Sequence, residues 1–121
     1  MKNNKLIVLT NELKNNKQII NEYVDFHANP FDEVIKDLEK KPVGRMRIYL
    51  IQNKLVMLLE VKNTFDLKNG IHIEPFNNKV KEWQKIMGSL FEELKSGDIR
   101  EWEETKLIFD TKDYYLSLIH I

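Results

Sequence analysis

Two apolar runs separated by Gln52-Asn53 restrict the folds open to this chain more than any other feature. From Arg45 to Ile51 the residues alternate, with Met46, Ile48 and Leu50 on one side and Arg45, Arg47 and Tyr49 on the other. The run Leu55 to Val61 resumes after the polar dipeptide, so the spacing predicts a β-hairpin. A lone hairpin is marginal in water and needs more strands, or helices, laid against it. At 121 residues the chain can supply them within one domain and not comfortably within two.

The remaining segments supply them in a definite order. Lys5 to Thr10 is a short apolar run rich in branched residues and reads as a strand. Between Lys17 and His27 the residues Ile19, Ile20, Tyr23, Val24, Phe26 and His27 recur at helical spacing. Asn29-Pro30 predicts a kink or boundary, because a residue before proline is driven out of the helical region. Phe31, Val34, Ile35 and Leu38 carry the period onward until Glu39-Lys40-Lys41-Pro42 closes the helix. Lys62 to Lys79 is polar and reads as a loop. Val80, Trp83, Met87, Leu90, Phe91 and Leu94 share a helical face, and Ser96-Gly97 is expected to stop that helix. Leu107-Ile108-Phe109, within Lys106 to Asp110, reads as a last short strand.

The resulting order is that of an α+β unit: a ferredoxin-like βαββαβ antiparallel sheet with two helices on one face. The opposite sheet face would also carry apolar side chains, Tyr49 among them. A homodimer meeting sheet to sheet covers them economically; a half-solvated face is the alternative.

Charge and composition remove several function classes. Lys and Arg total 19 and Asp and Glu total 19, a balance that argues against a nucleic-acid partner. The absence of Cys excludes disulfides, thiolate ligands and a Cys nucleophile. Of the three His, His27 and His72 are the pair a metal and a carboxylate would use, yet no His-Glu-x-x-His spacing supports a site. Glycines stand scattered at 44, 70, 88 and 97, so no phosphate-cradling loop exists. No metal and no cofactor are therefore expected. No apolar run approaches the roughly 20 residues of a spanning helix, and Leu6 to Leu9 is too short for a secretory core. A cytoplasmic protein with no membrane partner is expected. Leu116 to Ile121 resembles a translated sequencing adaptor; the expected domain is 1–115, with 116–121 a non-native tail and His120 set aside. A native apolar tail is the alternative.

Tyr23 and His27, four residues apart on a helix, share a face that Phe31 extends. Imidazole titrates near neutrality, which suits proton transfer. Trp83 offers a flat wall, and an aromatic wall with a few polar groups is a common way to hold a sugar ring. Each also has a plainer reading, as a structural helical His and as a core Trp. Arg45 and Arg47 suit either an anion or solvent, and Glu101-Trp102-Glu103-Glu104 reads as a solvated turn.

The string Glu22-Tyr23-Val24-Asp25-Phe26-His27-Ala28-Asn29-Pro30-Phe31-Asp32-Glu33 resembles the signature of the L-rhamnose mutarotase family, in which Glu-Tyr is followed by His and then by Trp-Pro-Glu. Arg45-Met46-Arg47-Ile48-Tyr49-Leu50 is similar to the family's second strand, and Val80 to Met87 to its second-helix motif with paired tryptophans. Leu107-Ile108-Phe109 stands where the family has Glu-Val-Phe, so the likeness runs from about Leu6 to Phe109.

The resemblance implies a dimeric α+β barrel and an aldose 1-epimerase, an isomerase interconverting the α and β anomers of L-rhamnose or a related sugar without a cofactor. It makes His27 the proton donor, Tyr23 a sugar-binding residue and Trp83 the first of the paired tryptophans. Gln84 then replaces the second tryptophan and Met46 a substrate-binding tyrosine, while Phe31-Asp32 replaces Trp-Pro. The expected substrate-binding set is Tyr23, Trp83, Met46 and Gln84. The alternatives are a non-catalytic dimeric barrel that binds a small ligand and a cofactor-free oxygenase of the same architecture.

Overall fold

The computed structural model describes residues 4–40, 43–67 and 77–116. Strands β1 (Asn4–Glu12), β2 (Val43–Ile51), β3 (Lys54–Lys62) and β4 (Glu103–Glu104) form one sheet in the order β2-β3-β1-β4. Every pairing is antiparallel. Helices α1 (Lys17–Ala28), α2 (Asp32–Lys40) and α3 (Asn78–Leu90) complete the unit. The α+β sandwich of sheet and helices stands as expected, with the sheet open at β2 and β4 rather than closed into a barrel.

The hairpin lies where the alternation places it. Ile51 faces Lys54 across the turn, and Gln52 takes a left-handed conformation at φ 56. Asn53 ties this turn to the end of β1: its Nδ2 donates to the Leu13 carbonyl at 2.9 Å, and its own carbonyl accepts from the Leu13 N–H at 2.8 Å. Pairing puts Met46 opposite Leu59 and Ile48 opposite Met57, while Leu9 faces Met57 from the other side. On this face Leu55 is buried in the core shared with the helices, while Ile7, Leu9, Met57, Leu59 and Val61 form a second buried cluster packed by Met46, Ile48, Phe65, Leu67 and Trp102.

Three differences from the sequence reading have physical causes. The first helix is two: α1 ends at Ala28, ahead of Asn29-Pro30, and α2 starts anew at Asp32 with Asp32 and Glu33 in its first turn, where acidic groups suit the helix dipole. The later helix ends at Leu90 rather than Ser96. There the backbone turns to pair with the end of β1, with Glu92 N–H donating to Glu12 at 2.8 Å and Lys14 N–H to Leu90 at 3.0 Å. Ser96-Gly97 instead forms the tip of a separate turn, with Gly97 at φ 90.

The last strand is Glu103–Glu104, not Lys106 to Asp110. The N–H and Oγ1 of Thr105 both donate to the Val8 carbonyl, each at 2.8 Å, and the sheet pairing stops there. Leu107, Ile108 and Phe109 run on outside the sheet, Ile108 with 88% of its surface exposed. The chain then closes in a short 3-10 turn, Thr111–Asp113. Residues 117–121 of the expected tail, the Lys41-Pro42 helix stop and His72 lie outside the described residues.

Candidate active site

The helices and the inner sheet face enclose an open cavity of about 720 Å³. The expected proton donor and the four expected substrate-binding residues line it: His27 and Tyr23 from α1, Trp83 and Gln84 from α3, and Met46 from β2. The Asn16 side chain starts α1 by accepting from Gln18 N–H at 2.9 Å, which fixes the helical phase that turns Tyr23 and His27 inward. Asn77 does the same for α3, accepting from Lys79 N–H at 2.7 Å.

His27 occupies the last turn of α1. Its Nδ1 lies 2.7 Å from the Tyr23 carbonyl. A carbonyl only accepts, so Nδ1 carries the proton, leaving the Nε2 lone pair free in the neutral ring. Burial lowers the pKa of His27 below the ordinary 6.5, against a smaller upward push from that backbone hydrogen bond. The ring is therefore neutral at pH 7. Tyr23, only 4% exposed, packs its ring 4.2 Å from the imidazole. Desolvation raises the pKa of its phenol, which stays protonated and offers a hydrogen-bond donor rather than a base.

Trp83 forms the next wall. Its indole stands 5.2 Å from the His27 ring and is held edge-on by Phe31 at 5.3 Å and Phe26 at 6.0 Å. These contacts fix the indole plane; Trp83 is only 7% exposed and borders the cavity from the aromatic core. Phe31 thus supports Trp83, and α1, α2 and α3 meet at this aromatic knot.

The segment entering β4 completes the lining, and it went unrecognised in the sequence. Arg100, Glu101 and Trp102 all border the cavity. Arg100 is anchored through its N–H to Glu92 at 2.8 Å and through its guanidinium to Glu103 at 2.9 Å. Trp102 packs on Phe91 with ring centres 6.0 Å apart. Glu101 is exposed at the border and Glu103 is engaged by Arg100, so the acidic run is divided between roles rather than uniformly solvated. The missed signal was register: with the strand at Glu103–Glu104, Trp102 and Arg100 alternate onto the inner face.

Arg47 faces away from the cavity, on the outer sheet surface, 3.8 Å from Glu60, and Arg45 is exposed. Neither contributes to the site. Among the described residues no three His, Asp or Glu side chains are grouped to hold a metal ion, and no helix is long and apolar enough to cross a membrane.

Comparison with known proteins gives the family and the fold. Residues 7–111 match the model of the L-rhamnose mutarotase family. A UPF0734 protein of Dictyostelium discoideum is 30% identical over 108 residues, covering 82% of this chain and 83% of its own length. The crystal structure of an L-rhamnose mutarotase from Formosa agariphila superposes with a TM-score of 0.62 at 18% identity, covering 88% of this chain and 97% of that one. At that identity the superposition bears on the fold.

Proposed function

The chain belongs to the L-rhamnose mutarotase family, and from that premise we propose that it is an aldose 1-epimerase acting on L-rhamnose or a related free sugar. The observation that carries the reading is the unencumbered Nε2 of a neutral His27, beside the Tyr23 phenol and the Trp83 wall in one cavity.

Anomer exchange moves one proton between two oxygens bonded to the same carbon. In the proposed cycle His27 Nε2 takes the proton of the anomeric hydroxyl. The bond from C1 to the ring oxygen then breaks, leaving an aldehyde. The imidazolium returns the proton to the former ring oxygen, so protons and charge balance. After rotation about the C1–C2 bond the same steps run in reverse and close the other anomer. His27 is thus base first and donor second, and its lowered pKa suits the first role. Burial keeps the Tyr23 phenol protonated, which suits it to donate a hydrogen bond to a sugar oxygen. Trp83 carries the ring's C–H face, with Gln84 and Met46 on the lining beyond.

The test is anomer exchange by saturation-transfer NMR with L-rhamnose and L-fucose, on the natural chain and on His27→Ala. A positioned acid-base group contributes about 10²–10⁴-fold, so the substitution is expected to remove an acceleration of that order. Acceleration that survives His27→Ala, or none with either sugar, overturns the assignment.

A homodimer belongs to the same proposal. On the outer sheet face Leu6, Tyr49 and Ile51 lie open beside Val8, Val56 and Leu58, with Tyr49 52% and Ile51 66% exposed. A second copy laid against this face would bury them.

A further inference from the structure

Asn11, on β1, is a polar side chain buried to 2% exposure. Its Oδ1 accepts from the Glu12 N–H at 2.8 Å, and its Nδ2 donates to the Arg100 carbonyl at 3.4 Å. The Arg100 N–H donates in turn to the Glu92 carbonyl. Arg100 is thus held through both of its backbone polar groups, and strand alternation carries it and Trp102 to the inner face together.

The guanidinium is a rigid fork of five N–H donors. Glu103 Oε1 takes one of them at 2.9 Å, while the Nε is buried with no partner. A buried donor left unmade is costly, and here it belongs to a side chain that lines the cavity and is 30% exposed. Glu103 offsets the charge of the fork, so its spare N–H groups suit neutral hydroxyls rather than a second carboxylate.

Trp102 borders the same cavity two residues on. It packs against both buried clusters yet is only half-buried, whereas Trp83 is 7% exposed. Its ring contact, Phe91, meets it at 82°, so the indole is not stacked on its neighbour. Trp102 therefore has more surface left for a ligand than Trp83.

We infer that Arg100 and Trp102 form a sugar-binding subsite, the indole carrying part of a neutral sugar's C–H surface and the spare guanidinium N–H groups donating to its hydroxyls. For the reaction the inference rests on the epimerase reading above. For the binding it rests on these two residues alone, neither of which moves a proton.

The experiment presents L-rhamnose and L-fucose to the natural chain and to Arg100→Met, Trp102→Leu, Trp102→Phe and Glu103→Gln. Binding is read by calorimetry and anomer exchange by saturation-transfer NMR. Arg100→Met is expected to raise Kd and KM about tenfold and Trp102→Leu about fivefold, with kcat little changed. Trp102→Phe keeps a smaller ring and should fall between Trp102→Leu and the natural chain; it is the variant to read where Trp102→Leu does not fold. Glu103→Gln breaks the same ion pair but keeps the guanidinium, and should bind at least as tightly as the natural chain. An ion pair with a purely structural role would instead weaken Arg100→Met and Glu103→Gln alike.

Unchanged affinity at either position, a loss shared by Glu103→Gln, or a change confined to kcat overturns the subsite and leaves the epimerase assignment standing. Exchange accelerated for neither sugar, with affinity still falling in the Arg100 and Trp102 variants, overturns the epimerase assignment and supports the subsite. Neither exchange nor binding overturns both.

Discussion

The imidazole of His27 is poised by two opposed influences, burial and one backbone hydrogen bond, and burial wins. In the proposed cycle the free base does the first transfer, so kcat/KM should rise with pH through a midpoint below 6.5 and level off at neutrality. A midpoint above 6.5 in a pH-rate profile would contradict a desolvated base. The same shift links to folding. The unfolded chain binds a proton at His27 more readily than the folded one, so the contribution of His27 to stability is complete above pH 6.5 and declines as the pH falls below it. Urea titrations at pH 7 and pH 5 should show that loss, and His27→Gln should diminish it. Gln52 presents a different balance. A left-handed non-glycine residue costs about 1–2 kcal/mol and the extra freedom of glycine about 0.5–1 kcal/mol, so Gln52→Gly should gain about 0.5 kcal/mol. The Tyr23–His27 pair was legible in the sequence because four-residue spacing has one structural meaning on a helix. Arg100 was not, since its place depends on a strand register that only the three-dimensional pairing fixes.

Helical periodicity placed Tyr23, Val34, Val80, Trp83, Met87 and Leu90 inward, as the structure has them, whereas Val24 and Ile35 share that period and stand exposed. It erred on ends. Leu94 continues the apolar period of α3, yet pairing with the end of β1 bends the backbone away at Leu90. The apolar trio at Leu107 looked like a strand because strands and exposed apolar runs share a composition. Thr105, with two hydrogen bonds to one carbonyl, is the residue that marks the exit from the sheet. The start of α1 makes a measurable claim. Asn16→Ala removes the acceptor for two backbone N–H groups and should cost about 1 kcal/mol in urea unfolding. Since α1 carries both His27 and Tyr23, the KM for the sugar should rise in the same variant. An unchanged stability would mean that this cap is not needed.

The sheet has one face under helices and one bare, and the bare face holds residues as apolar as Leu6 and Ile51. The apolar character of the outer face was legible from Tyr49, which the alternation places opposite Met46, Ile48 and Leu50. Light scattering should give twice the 14.5 kDa of one chain. Ile51→Lys puts a charge on the face and should return the mass to that of one chain. A natural chain that scatters as 14.5 kDa would leave the face to solvent.

The knot of rings around Trp83 carries one more consequence. A protonated imidazole quenches the fluorescence of a nearby indole, and here the two rings are 5.2 Å apart. With Trp102 replaced by Phe, the emission of the single remaining tryptophan becomes an optical titration of His27, readable without any sugar present.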